Sequence, residues 1–381
     1  MCAHVLHPRT SVPLTRTVAC ITLLPIVGNT SFLSNRLIAA IVSRLAGQMP
    51  AGWEVADASA APRRAAVTPK GNPRLEIRGP GRTRGTVSVE ARSHLEPREV
   101  ELLAFTRRPS PERPVLIAAP FLSPRTRERL AARGFAYADL TGNVRLSLAR
   151  PGLFIDTAGA ARNPEPLARE RTSLKGAKAG RLVRALCDVR PPTGLRALAR
   201  RAGVDAGYAS RVVDLLDRDT LITRTARGPI TSVDWPALLR RWGEDYSPFQ
   251  RPGAAWYLAA RGLGAVTKGL AGLRLRYAIS GSWAAAQFAP IAPTRLFLCY
   301  ADDVAALAQE LELRPADTAA NVVLVTPRDP VVYERTAQRR GLTVAALSQV
   351  AVDLLTSPGR GPNEGEALID WMRDHESIWR T

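Results

Sequence analysis

The residues with the clearest chemical reach lie in the stretch from Leu195 to Arg227, LRALARRAGVDAGYASRVVDLLDRDTLITRTAR. Gly207, Tyr208, Ser210 and Arg211 open what reads as a helix, and Arg224 and Arg227 flank what reads as a hairpin. A guanidinium and hydroxyls on one exposed helical turn can hydrogen-bond to base edges in the major groove. Basic residues on a hairpin can neutralise phosphates or enter the minor groove. The chemistry expected of this stretch is therefore recognition of double-stranded DNA.

Those side chains need two helices and a hairpin to hold them. Leu195, Leu198, Ala199 and Ala202 recur three and four apart, giving one apolar face, and Gly203 stands where that helix must stop in a left-handed turn. Val204 fills the angle between the two helices. Asp205 is the expected N-cap of the second helix, whose apolar stripe is Ala209, Val212, Val213 and Leu216. That stripe turns Gly207, Tyr208, Ser210 and Arg211 outward at the helix start, the end that a recognition helix presents to DNA. Asp214, Asp217 and Asp219 make the far end repel phosphate. Alternation from Leu221 to Val233 around Ala226-Arg227-Gly228-Pro229 predicts a two-stranded wing, closed by a short helix over Trp235 to Trp242.

Composition agrees with a polyanionic partner. The chain has 381 residues, with 53 Lys plus Arg against 34 Asp plus Glu and a formal charge of +19. Such a field favours fast, salt-sensitive association with nucleic acid. Lysine occurs only at Lys70, Lys175, Lys178 and Lys268, so the excess is arginine, and a genome biased towards Ala and Arg accounts for part of it. Cys2, Cys20, Cys187 and Cys299 lack metal-ligand spacing, and His4, His7, His94 and His375 are too scattered for a nucleophile system. No cofactor is expected. The apolar stretch from Val18 to Gly28 is too short to span a bilayer and is interrupted by Pro25, so a cytoplasmic protein with no membrane contact is expected. Residues 1–32 read as a disordered or misannotated extension, and folding is expected from about Leu33, with Leu37, Ile38, Ile41, Val42 and Leu45 on one helical face.

After an Ala/Arg/Pro-rich linker over 56–73, an α/β segment follows. Arg74 to Arg78 and Thr86 to Arg92 alternate like strands, Val115 to Ala119 reads as a buried strand, Pro124 to Arg133 as a helix, and Val144 to Leu148 and Leu153 to Ile155 as further strands. The stretch VLIAAPFLSPRTRERLAARGFAYADLTGNVRLSL, followed by PGLFIDTAG, resembles the N-terminal domain of a bacterial helix-turn-helix family whose fold is similar to PD-(D/E)xK restriction endonucleases. That resemblance implies a metal-binding E-x-K triplet, represented here by Glu90-Ala91-Arg92 with Glu76 as the upstream acid. Arg92 replaces the lysine and cannot readily lose a proton, so nuclease chemistry is not expected. The basic surface of Arg74, Arg78, Arg82 and Arg84 could still meet DNA backbone. Asp139, Thr141, Gly142 and Asn143 read as turn chemistry.

Beyond a linker over Pro248 to Gly253, Tyr277-Ala278-Ile279-Ser280-Gly281-Ser282-Trp283 resembles the strand-Gly-Ser-helix entry of nucleotidyltransferase-like domains. The magnesium-binding acids that the resemblance implies on the next strand align with Leu296 and Leu298, and leucine binds no metal. Asp302 and Asp303 read as caps of the helix that ends near Leu311. Asn321 to Pro327 and Leu342 to Ala346 read as strands. The ending SQVAVDLLTSPGRGPNEGEALIDWM resembles antitoxins of the AbiEi type, which implies a protein partner for the C-terminal region.

The fold class expected is multidomain α/β: the extension 1–32, a restriction-endonuclease-like unit 33–165, a winged helix-turn-helix 172–247 and a degenerate nucleotidyltransferase-like unit 254–381. The expected function is sequence-specific DNA binding in transcriptional regulation, without enzymatic turnover. The alternatives are the antitoxin of a type IV toxin-antitoxin system, neutralising a nucleotidyltransferase-like toxin, and a metal-dependent nuclease.

Overall fold

Two periodicities run through the chain and build a mixed α/β structure. The computed structural model describes residues 27–57, 73–164, 173–225, 228–249, 253–289, 293–316 and 318–381. Helix α1 (Val27–Ala46) begins six residues before Leu33, and it buries Ile38, Ile41 and Leu45 at helical spacing. The residues expected to form the extension therefore lie partly in this helix and otherwise outside the described residues.

The first sheet takes its strands in chain order: β1 (Glu54–Asp57), β2 (Arg74–Arg78), β3 (Arg84–Ala91), β4 (Val115–Ala119), β5 (Ala136–Asp139), β6 (Val144–Leu148) and β7 (Leu153–Thr157). β3, β4 and β5 are parallel neighbours, and the pairs on either side are antiparallel. The parallel crossovers are helices α2 (Pro97–Thr106) and α3 (Pro124–Ala132). Strand β4 serves two cores because successive side chains point to opposite faces. Leu116 and Ala118 join α1, whereas Ile117 and Ala119 join Val100 and Leu103 of α2 and Leu130 of α3.

Next come α4 (Ala177–Asp188), α5 (Leu195–Arg201), α6 (Ala206–Arg218), the hairpin β8 (Ile222–Arg224) and β9 (Ile230–Val233), and α7 (Trp235–Gly243). A second seven-stranded sheet follows. Its strands are β10 (Ala254–Leu258), β11 (Tyr277–Ser280), β12 (Phe297–Ala301), β13 (Arg314–Pro315), β14 (Val322–Val325), β15 (Ala337–Arg339) and β16 (Leu342–Val344), in the spatial order β13-β10-β14-β12-β11-β16-β15. The helices α8 (Leu263–Leu270), α9 (Gly281–Ala285), α10 (Val304–Glu310), α11 (Leu347–Leu355), α12 (Gly361–Asp374) and α13 (Glu376–Trp379) complete the chain. Among the described residues no helix is long and apolar enough to cross a membrane.

The expected boundary near Pro248 to Gly253 is not a boundary of the core. One continuous apolar cluster runs from Leu174 to Trp379 and joins α4, α6 and α7 to the second sheet and its helices. Trp242 on α7 is almost fully buried and packs against Tyr246 at a tilt, with ring centroids 4.7 Å apart. Polar groups cross the same junction. Arg184 on α4 is buried, pairs with Asp188 at 3.1 Å and donates to the carbonyls of Val331 and Glu334. The C-terminal Arg380 donates to the Cys187 carbonyl at 2.8 Å and so satisfies the end of α4 with a cation, as the helix dipole favours.

The first sheet meets this body differently. Its two apolar clusters stay within 38–155, and charged groups make the junction. Arg98 of α2 pairs with Asp217 at 3.1 Å, Arg218 with Glu96 at 3.5 Å, and Arg125 with Asp234. Arg125 and Arg129 of α3 both donate to the Thr220 carbonyl.

Candidate nucleic-acid interface

The turn between α5 and α6 is built from backbone hydrogen bonds that only a left-handed residue allows. Gly203 has φ +58°, its N–H donates to the Arg200 carbonyl at 3.1 Å, and the Val204 N–H donates to the Ala199 carbonyl at 3.0 Å. This pair of bonds closes α5 and redirects the chain. Asp205 then caps α6, its carboxylate accepting from the Tyr208 N–H at 2.7 Å. That backbone bond holds the Asp205 carboxyl below its ordinary value.

Helix α6 buries Ala209, Val212, Val213, Leu215 and Leu216, which leaves its first turns facing outward. Gly207 and Arg211 are exposed; Tyr208 and Ser210 are half-buried. The Arg211 guanidinium runs back along the helix to lie 5.9 Å from the Tyr208 ring centre, and Lys178 of α4 lies 5.9 Å from the same ring. Tyr208 is thus held between two cations. Arg196, Arg200 and Arg211 are exposed and form no ion pair among the described residues, so their charge is available to a ligand.

The hairpin packs against this pair of helices. Ile222 pairs with Val233, and Thr193 bridges Ile230 through two backbone bonds of 3.0 and 2.9 Å. Arg224 turns inward from the hairpin. Its guanidinium pairs with Asp214 and lies 3.5 Å from Asp217, both on α6. Arg227 and Ala226 lie outside the described residues. The acids at the far end of α6 are also matched: Asp214 by Arg224, Asp217 by Arg224 and Arg98, and Asp219 by Arg241 at 3.8 Å. Instead of a repelling end open to solvent, that end of α6 is where the first sheet's helices dock.

The residues singled out for metal chemistry are engaged otherwise. Glu76 binds Arg78 and Arg84, each at 3.1 Å, and Glu90 binds Arg92 and, at 3.5 Å, Arg107. The register sets Glu76 opposite Thr86, four residues short of Glu90 along β3, so the two carboxylates do not share a site. Among the described residues no group of three or more His, Cys, Asp or Glu is placed to hold a metal ion. Asp139 accepts from the N–H groups of Leu122, Thr141 and Asn143 and from the Asn143 amide at 2.8 Å, a fully satisfied buried turn. Leu298 is buried and stands opposite Ser280 in the β11–β12 register. Asp303 caps α10 by accepting from Ala306 N–H, whereas Asp302 accepts from the Tyr333 hydroxyl at 2.9 Å.

No family model, curated protein or solved structure matches this chain.

Two parts of this surface went unread in the sequence. Lys178 sits on α4, whose apolar face of Ala179, Leu182, Val183 and Leu186 has helical spacing that would have revealed the helix. The inward turn of Arg224 had a weaker signal: α6 carries two aspartates in its second half, and the hairpin returns the chain along that half.

Proposed function

We propose that this protein binds double-stranded DNA in a sequence-specific manner and acts as a transcriptional regulator, with 172–247 as a winged helix-turn-helix. The observation that carries this reading is the asymmetry of α6. Its first turns are open and flanked by arginines without ion pairs among the described residues, while the aspartates of its second half are paired with arginines.

In this reading the start of α6 enters the major groove. Arg211 makes two hydrogen bonds to a guanine edge, worth about 1–3 kcal/mol of discrimination. Its neighbours Gly207, Tyr208 and Ser210 complete the surface, Gly207 by letting the backbone approach closely. Arg196 and Arg200 on α5 and Lys178 on α4 meet phosphates on either side, fixing register without reading sequence. Arg224 has a supporting role: by holding Asp214 and Asp217 it orients the hairpin and removes negative charge from the DNA side. Arg227, between the two hairpin strands in sequence, contacts backbone or minor groove. Neither flanking α/β unit takes a catalytic role in this reading, since arginines occupy Glu76 and Glu90 and leucines stand where the metal acids would be.

The test compares variants on a selected DNA site and on scrambled DNA across a salt titration. Arg211→Ala should lower the preference for the selected site, whereas Arg227→Ala should weaken all DNA about equally and reduce the salt slope by about one unit. If both variants bind every sequence as the wild type does, α6 and its hairpin are not the reading surface.

A further inference from the structure

A cleft of about 130 Å3 lies where α4 and the end of α5 meet the 334–335 segment of the C-terminal body. Four arginines reach it: Arg181 and Arg184 from α4, Arg201 from the last turn of α5, and Arg335. Their charges are not equally spent. Arg184 is paired with Asp188, and Arg181 makes a two-pronged contact with Asp329, with bonds of 2.7 to 3.1 Å. Arg201 is exposed and has no ion pair among the described residues. Arg335 lies 4.0 Å from Asp188, a carboxylate already held by Arg184, and otherwise donates to the Thr381 hydroxyl and the Trp379 carbonyl. The lining thus carries four arginines against two acids, Asp188 and Glu334.

We propose that this cleft binds a compact multivalent oxyanion, held between Arg201 and Arg335, and that its binding weakens DNA binding. Guanidiniums suit such a ligand because their planar donor forks match phosphate and carboxylate oxygens. The coupling has a physical route. Arg181 donates to the Gly203 carbonyl at 3.2 Å, in the turn that orients α6, while its other donors hold Asp329 of the C-terminal body. An anion in the cleft adds negative charge beside α5, the helix that carries Arg196 and Arg200. The site itself does not depend on the DNA-binding reading; the coupling does.

The full-length protein would be titrated calorimetrically with inorganic pyrophosphate and, separately, with citrate, at constant ionic strength and without DNA. One saturable site is expected, weakened tenfold or more by Arg201→Ala and by Arg201→Gln and unchanged by Arg74→Ala, an exposed cation on the first sheet. The stronger of the two probes tells phosphoryl from carboxylate recognition. Failure to saturate, or equal weakening by Arg74→Ala, means only diffuse attraction to a cationic surface and overturns the proposal. The same probe should then weaken binding to a selected DNA site by about fivefold or more, the usual scale of coupling between sites. An anion site present with no shift in DNA affinity refutes the coupling, and an anion site in a protein that binds no DNA refutes the DNA-binding reading alone.

Discussion

Asp353 on α11 carries a pH dependence whose size follows from its surroundings. Its carboxylate is fully buried and accepts from Ser280 Oγ at 2.6 Å, from the hydroxyls of Tyr300 and Tyr246, each at 2.9 Å, and from the Gln349 amide at 2.9 Å. Burial pushes its pKa up from 3.8 to about 6, against the pull of those four donors. The folded protein therefore holds a proton that the unfolded chain has lost between about pH 4 and pH 6. Stability from this group is complete below pH 4 and is lost as pH rises through 6. At about 1.36 kcal/mol per unit, the loss is of order 3 kcal/mol. The Asp353→Asn variant cannot ionise at this position, so its fixed packing penalty is the same at every pH. The stability of the wild type relative to that variant should then fall by about 3 kcal/mol between pH 4 and pH 7. Six of the seven tryptophans, Trp235, Trp242, Trp256, Trp283, Trp371 and Trp379, belong to the body containing Asp353, so urea unfolding followed by tryptophan fluorescence reports on it. A difference that stays flat across that range would refute the argument that this carboxylate is desolvated without a compensating cation.

Three further outcomes are expected. Asp205→Ala removes the cap of α6 and should cost about 1 kcal/mol in chemical denaturation, with weaker DNA binding because the frayed turn carries Tyr208 and Arg211. Gly203→Ala forces a side chain into φ +58° and brings its Cβ to 3.2 Å from Arg181 Nη1, so a loss of about 1–2 kcal/mol is expected; an unchanged melting curve would show that the turn is not held as described. The first sheet is fixed to the rest by charged contacts such as Arg98 with Asp217 and Arg218 with Glu96. Raising salt from about 0.1 M to about 1 M shortens the screening length from about 10 Å to about 3 Å and should open this junction, seen as a larger radius of gyration in X-ray scattering; a radius independent of salt would contradict it.

Legibility followed the strength of local signals. The α5–α6 turn was readable because Gly203 and Asp205 each answer a local backbone demand, and the apolar stripe of α6 because its spacing is undiluted. Strands Arg74–Arg78, Val115–Ala119 and Val144–Leu148 matched their alternating or wholly apolar runs. Short edge elements such as Glu54–Asp57 and Arg314–Pro315 carry too few residues for a period, and each gains its place from a neighbouring strand. Helix α2 was missed because its buried residues, Pro97, Val100 and Leu103, share it with exposed Leu102 and Phe105, which blurs the face. Shared cores are not local properties at all: nothing between Pro248 and Gly253 tells that Trp242 and Val350 belong to one apolar cluster. The partners of Arg224 were out of reach for the same reason, since an arginine's direction is set by acids that folding brings near.

The proposed function turns on whether the open start of α6 reads DNA sequence. The most direct measurement selects sites from a random duplex library with the full-length protein, then determines affinity for the recovered site and for scrambled DNA across a salt titration with wild type and Arg211→Ala. One enriched motif is expected, with a linear fall of log affinity with log salt and an advantage for the motif that shrinks by about 1–3 kcal/mol when Arg211 is removed. A library that returns no motif, or a motif that Arg211→Ala binds with undiminished preference, would contradict it.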